Sequence, residues 1–276
     1  MLTTLKLTHD ARGIATVTLN RPEIRNAFNE VMIQELATIF EKLNGDAAVR
    51  VIVIAASGDC FCAGADISWM QRAANQSESA NLEDARRFAA MMTTIQTSTK
   101  PVIACVQGAA FGGGVGLICA ADIVIASQSA RFSVSEAKLG ILPAVIGPYL
   151  IQAVGKRQAL YLALTAAPIN AHDALAMGLV HKVVEAAQLD NAVGSTLDEL
   201  LKNGPMALAE IKQLFSQLGY GPIDEQTREL TARTISRVRT SAEARLGFSA
   251  FLEKRAPMWT VTADVNPSSE AVGTHL

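Results

Sequence analysis

The chain has 276 residues, of which 50 % are apolar and 18 % charged, with a formal net charge of −2. That composition excludes a disordered chain and allows one large domain, or a domain with a smaller appendage. So small a net charge gives no broad electrostatic reason to expect nucleic acid or an acidic membrane surface as a partner.

Taken in order, Ile14 to Leu19 alternates branched or apolar residues with smaller and polar ones, as a half-buried strand does, and Arg21-Pro22 ends it. From Phe28 to Leu43, Met32, Leu36, Ile39, Phe40 and Leu43 form the stripe of an amphipathic helix. Val51 to Ala56 is apolar throughout, which predicts a strand covered on both faces. A second helix is predicted over Asn81 to Thr97, through Leu82, Phe88, Met92 and Ile95. Lys100-Pro101 introduces the strand Val102 to Val106. Gly112 to Gly116 opens a helix toward Ala121, and Ile123 to Ala126 is a further strand. Strands interleaved with helices predict an α/β fold, although no sequence repeat is evident.

Beyond about residue 200 the composition changes. Lys202-Asn203-Gly204-Pro205 and Gly219-Tyr220-Gly221-Pro222 are breaks, and Asp224 to Glu253 reads as helix interrupted near Thr240-Ser241. Ser241 suits an N-cap, with Glu243 well placed in the first turn. Leu246, Phe248, Phe251 and Leu252 are more apolar surface than one terminal helix can hide, so it is expected to pack on the core or on another subunit. Three segments are expected: a core over 1–202, a helical region over 203–259, and a disordered tail over 260–276. The start, Met1-Leu2-Thr3-Thr4, has no charged region followed by a long apolar stretch, so no signal peptide is expected. No apolar run approaches a membrane span. The cysteines at 60, 62, 105 and 119 have no metal-ligand spacing and read as reduced thiols of a cytoplasmic protein, with no metal site.

Two glycine-rich turns about fifty residues apart carry the chemistry. They are Phe61-Cys62-Ala63-Gly64-Ala65-Asp66 and Gly108-Ala109-Ala110-Phe111-Gly112-Gly113-Gly114, followed by the carboxylate Glu136. Each turn follows an apolar strand, and two strand ends side by side can aim two bare N–H groups at one oxygen. Such a pair stabilises negative charge developing on a carbonyl oxygen. The glycine triplet alone also suits close helix-to-strand packing. Without a following Lys-Ser or Lys-Thr it is not a P-loop, and its spacing does not fit a dinucleotide fingerprint. His9, His172, His181 and His275 are scattered and give no nucleophile triad. Cys62 beside the turn suits a small tight position better than a thiol nucleophile. Arg228, Arg233, Arg237, Arg239 and Arg245 read as a solvated or subunit-contacting face rather than an RNA site.

These turns, with Asn20-Arg21-Pro22, Asn26-Ala27-Phe28, Ala121-Asp122-Ile123, Phe132, Leu139-Gly140-Ile141-Leu142-Pro143 and Phe251 to Arg255, resemble the crotonase family, also called the enoyl-CoA hydratase/isomerase superfamily. The resemblance spans roughly residues 5 to 259 and implies an α/β spiral of ββα turns with a C-terminal helical region that assembles homotrimers or dimers of trimers. It implies an acyl-CoA thioester substrate, with coenzyme A part of the substrate and no separate cofactor. The thioester oxygen would sit between the N–H groups of Ala65 and Gly113, with Glu136 as the acid and base. By the same carry-over, Ala63, Asp66 and Ile67 would line the adenine pocket through backbone groups, and Arg25 is a weaker candidate for a phosphate. Phe251 and Lys254 would reach the nucleotide from a neighbouring subunit.

Two departures narrow the expectation. Typical hydratases of the family carry a first glutamate where this chain has Gly116, leaving Glu136 alone. After Pro143 the chain continues Ala144-Val145-Ile146-Gly147-Pro148-Tyr149 instead of a glycine-rich stretch. That segment, with residues 110–117 and Ile67-Ser68-Trp69-Met70, is similar to methylglutaconyl-CoA and isohexenylglutaconyl-CoA hydratases of bacteria. Trp69, Met70, Gly116, Pro143 and Ala144 are therefore acyl-pocket candidates, and Arg72 and Lys138 are cations without a spacing argument. The alternatives are an enoyl-CoA isomerase, which also needs one base, and a non-catalytic CoA- or RNA-binding member.

Overall fold

The computed structural model describes residues 2–219 and 221–260. The expected tail over 260–276 lies, apart from Thr260, outside the described residues. In chain order the elements are β1 (Leu5–His9), β2 (Ile14–Leu19), α1 (Glu30–Gly45), β3 (Val51–Ala56), α2 (Ile67–Ala74) and α3 (Glu78–Gln96). Then come β4 (Val102–Val106), β5 (Ala109–Phe111), α4 (Gly113–Ala120), β6 (Ile123–Ser127), β7 (Arg131–Ser133), α5 (Gly147–Thr165) and β8 (Ile169–Asn170). The last elements among the described residues are α6 (Ala171–Ala176), β9 (Lys182–Val184), α7 (Leu189–Leu201), α8 (Pro205–Gln217), α9 (Glu225–Arg239) and α10 (Ala242–Leu252).

A large sheet has the order β1-β2-β3-β4-β6-β9 and is parallel except for the β1–β2 pair. A small sheet has the order β5-β7-β8. After β4 and again after β6 the chain adds a three-residue strand to the small sheet before turning into a helix. This is the ββα turn that the family resemblance implies. It left no sequence repeat because the short strands, Ala-Ala-Phe and Arg-Phe-Ser, share no pattern.

The central strands are buried on both faces, as the run at 51–56 predicts. Ile52, Ile54 and Ala104 join the core under α1 and α3, while Val51, Val53, Ile103 and Cys105 pack with Leu189, Val193 and Leu197 of α7. Helix α1 buries Met32, Ile33, Leu36, Ile39, Phe40 and Leu43. At roughly 1.5–3 kcal/mol per large apolar side chain, that stripe outweighs any helix propensity. Asn29 caps the helix, which begins at Glu30, because its side chain accepts the Met32 N–H at 2.9 Å. Ser77 caps α3 and Ser241 caps α10 in the same way. Glu243 also serves α8, whose N-cap is a glycine; its carboxylate accepts the Met206 and Ala207 N–H groups at 2.9 and 2.8 Å.

Candidate active site

The first turn is held by its backbone and by one buried amide. Asn26 is fully buried in the left-handed region (φ 54°). Its Oδ1 accepts the Arg21 N–H at 2.8 Å, and its Nδ2 donates to the Ser57 and Cys60 carbonyls at 2.9 and 2.8 Å. Ala63 N–H donates to the Arg25 carbonyl at 2.9 Å. Phe28 then pairs in parallel with Ala65, through Phe28 N–H to the Gly64 carbonyl and Asp66 N–H to the Phe28 carbonyl, both 2.7 Å. Because extended backbone alternates its direction, the bonds at 64 and 66 turn the Ala65 N–H the opposite way. That N–H donates to no protein acceptor among the described residues.

The second turn begins where β5 ends. Gly112 takes φ 48° and ψ −118°, outside the range of ordinary side-chain-bearing residues, and donates its N–H to the Ser133 carbonyl at 2.8 Å. Gly113 is the first residue of α4, so its N–H has no intrahelical acceptor and lies at the positive end of the helix dipole. The two turns touch. A Cβ on Gly64 (φ 99°) would lie 3.3 Å from the Phe111 carbonyl oxygen, and one on Gly112 would lie 3.8 Å from the Gly64 Cα. The strand-end expectation needs one correction. The donors are not at the ends of β3 and β4; they follow pairing in the small sheet, where Cys62 bridges Ala110.

Glu136 opens a short 3-10 helix, Glu136–Leu139, just after β7. Its Oε1 lies 3.1 Å from where a Gly112 Cβ would be, so the carboxylate packs directly on the second turn. Its Oε2 is buried and has no hydrogen-bond partner among the described residues. Burial pushes the carboxyl above the ordinary glutamate range, opposed only by a hydrogen bond from its own backbone. An unpartnered carboxylate beside two uncommitted N–H groups can move a proton at a centre whose oxygen is held by those donors.

The remaining expected residues are spread around this centre. Asp66 does more than offer backbone groups. Its carboxylate caps α2 through Ser68 and Trp69 N–H and pairs with Arg21 at 2.9 Å. Burial opposes its charge, yet the bonds from Arg21, Ser68 and Trp69 prevail and hold it below the usual range. Ala63 is half-buried, and Ile67, at the start of α2, is exposed. Trp69 is half-buried against the core, and its indole N–H is buried with no partner among the described residues. Met70 beside it is half-buried. Arg25 is exposed in a left-handed turn. Pro143 is half-buried and Ala144 exposed, in the segment between Glu136 and α5. Phe251 lies in the last turn of α10 and Lys254 just beyond it, both exposed, and no hydrogen bond or ion pair joins them to residues 63–67 among the described residues. Of the two cations, Arg72 is already paired with Glu30 at 2.6 Å, and Lys138 is exposed on the same short helix as Glu136.

Cys62 is fully buried, and burial pushes its thiol up to about 12, so it is inert as a nucleophile. Among the described residues, no three His, Cys, Asp or Glu stand close enough to hold a metal ion, and no helix is long and apolar enough to cross a membrane. The sequence assigns Arg21, Asn26, Phe88, Met92, Ser133 and Ile146 to no individual place in the site. Arg21 and Asn26 stand inside the family's Asn-Arg-Pro and Asn-Ala-Phe motifs, whereas the contacts of the others are between segments distant in the chain.

The fold and the site together define a class: an α/β enzyme scaffold that sets two free backbone donors beside one buried carboxylate. Residues 9–262 match the enoyl-CoA hydratase/isomerase family, and the chain belongs to that family. An enoyl-CoA hydratase of known structure from Shewanella pealeana is 41 % identical, superposes with a TM-score of 0.90, and is matched over 94 % of this chain and 96 % of its own. A short-chain-enoyl-CoA hydratase of Clostridium acetobutylicum is 33 % identical over 248 residues, 88 % of this chain and 92 % of its own. A 1,2-epoxyphenylacetyl-CoA isomerase of Escherichia coli K12 is 32 % identical over 258 residues, 92 % of this chain and 97 % of its own.

Proposed function

We propose that the protein is a hydro-lyase adding water reversibly across the 2,3 double bond of a 3-branched glutaconyl-CoA, either the 3-methyl or the isohexenyl thioester. The observation that carries this reading is the half-buried Glu136 carboxylate, whose Oε2 is buried without a hydrogen-bond partner among the described residues, against the turn that bears the Gly113 N–H. Glu136 takes a proton from water as the water oxygen bonds to C3, and the double-bond electrons move onto the thioester oxygen. The N–H groups of Ala65 and Gly113 hold that enolate oxygen. Glu136 then returns the proton to C2, so one water is added in all.

Backbone groups of Ala63, Asp66 and Ile67 receive the adenine end, and Arg25 a phosphate. Phe251 and Lys254 complete the nucleotide site from a neighbouring subunit of a trimer or a dimer of trimers. Coenzyme A arrives as part of the substrate, with no further cofactor. Trp69, Met70, Pro143 and Ala144 form the acyl wall, and the reaction runs in the cytoplasm. With no carboxylate at 116, the distal carboxylate of the substrate itself orients the water.

Incubation with 3-methylglutaconyl-CoA is expected to give a product heavier by one water. An unchanged mass with a moved double bond would favour isomerisation, which a single carboxylate also serves and which the Escherichia coli relative's name includes. Crotonyl-CoA lacks the distal acid; if it were hydrated as fast as the glutaconyl thioester, the water-orienting role would fail.

A further inference from the structure

Gly116 lacks more than a carboxylate; its whole side-chain volume is taken. A Cβ at 116 would lie 2.4 Å from Ile146 Cγ2, 3.1 Å from Ile146 Cβ and 3.4 Å from Met92 Cε. Real Cβ atoms do not approach to 2.4 Å, and the atoms met are an isoleucine's branch point and γ-methyl rather than a flexible tip. Ile146 is 1 % exposed and sits on the segment between Glu136 and α5, so the surrounding core leaves it little room to retreat. The same face of α4 shows the pattern one turn earlier, where a Cβ on Gly113 would lie 3.1 Å from Phe28 and 3.5 Å from Phe88. Gly113 and Gly116 are three residues apart and share that face, about 4.5 Å along the axis. Phe88 and Met92 likewise share one face of α3. The wall rising from the Gly113 N–H is therefore apolar and filled, and Glu136 packs on the adjoining Gly112.

We infer that Ile146 is a specificity-determining residue: its side chain plugs the recess beside Gly116, limiting the 3-branch of the acyl group and excluding a second carboxylate. The inference rests on the hydratase reading above. An acyl group whose thioester oxygen meets the Gly113 N–H has its C3 substituent within a few carbon atoms of the plug. Trimming the plug opens apolar volume there and admits a longer branch. A side chain at 116 is tolerated only once the plug is removed, so the two positions are coupled sterically.

The test is a cycle of Gly116→Ala, Ile146→Ala and the double variant, with Ile146→Val as the mild change. Thermal unfolding is read together with the ratio of kcat/KM for isohexenylglutaconyl-CoA over 3-methylglutaconyl-CoA. Gly116→Ala is expected to lower Tm relative to the parent, and Ile146→Ala in the same chain to recover part of that loss. Ile146→Val is expected to raise the long-to-short ratio severalfold, and Ile146→Ala to raise it further. A folded Ile146→Val protein with the parent's ratio overturns the specificity role, and a Gly116→Ala chain as stable as the parent overturns the plug. If the parent hydrates neither thioester, the function reading falls and the specificity role with it. An active parent with an unmoved ratio removes this inference alone.

Discussion

Helices α4 and α10 are both rich in apolar residues, and their surroundings are opposite. In the eight residues of α4, Gly114, Val115, Gly116, Leu117, Ile118 and Ala120 are buried, with Phe28, Phe88, Met92 and Ile146 packed to the glycine backbone. In the eleven residues of α10 only Ala250 is buried, and Phe248, Phe251 and Leu252 are 57, 82 and 79 % exposed. Helices α8 and α9 have no buried residue at all. The difference separates what one chain completes by itself from what it leaves open. The turns and Glu136 are fixed by backbone bonds between distant segments of this one chain and by glycines that allow close approach. Helices α8 and α10 leave large apolar side chains uncovered, among them Phe215, Phe248, Phe251 and Leu252.

The largest expected effect is at the closed end of this comparison. Glu136→Gln should lower kcat/KM by ~10²–10⁴, the usual worth of a placed proton-transfer group. The same variant should be at least as stable as the parent near neutral pH. The folded state raises this carboxyl's pKa, so above that pKa the charge is present in both states and its burial cost falls on the folded one. As pH drops below the unfolded value the group is neutral in both states, and the variant's advantage should vanish. Thermal melts at neutral and acid pH read this directly; a variant that is inactive because it is unfolded would break the assignment.

Next come the two substitutions that disturb the turns without touching the carboxylate. A Cβ at 114 would lie 2.8 Å from the Cys62 carbonyl oxygen and 2.9 Å from Cys62 Cβ. Gly114→Ala should therefore cost about 1–3 kcal/mol by overpacking, seen as a lower Tm, and should part α4 from the first turn. Asn26→Ala strands the Ser57 and Cys60 carbonyls and the Arg21 N–H. At about 1–3 kcal/mol for each buried group left unsatisfied, denaturant unfolding should show a loss at least as large. Stability equal to the parent in both variants would mean that the turns are not held as described.

The smallest effect belongs to the open end. Phe251→Ala removes a side chain that is 82 % exposed, so the melting temperature of a dissociated protomer should not move. If that ring meets the nucleotide of a neighbouring subunit, KM for the thioester should rise severalfold with kcat nearly unchanged. An unchanged KM in the assembled enzyme would remove Phe251 from the nucleotide site.

Most of the closed region was legible because its signals are local. Val51 to Ala56 reads directly as a doubly covered strand and Val102 to Val106 as a strand, and Ser241 reads as the α10 cap at the residue where it occurs. What escaped was short or distant. Strands β5, β7 and β9 have three residues each, too few for a period. Helix α5 contains Gly155 at φ 74° and exposes Ile151, Leu160, Tyr161 and Leu164, so it shows no single apolar stripe. The turns and Glu136 were found from glycine pattern and register. Their support was not, because Asn26 reaches Cys60 across 34 positions and Gly116 meets Ile146 across a similar stretch, farther than any local window extends.

The most direct test of Glu136 as the proton-transfer group is the pH dependence of hydration, kcat/KM on 3-methylglutaconyl-CoA, in the parent and in Glu136→Gln. The parent should gain activity as pH rises through a midpoint above the ordinary glutamate value, because the base form of a buried carboxyl is needed. The glutamine variant should be slow and lack that limb. The same limb in both proteins, or near-parent turnover in the variant, would contradict that role.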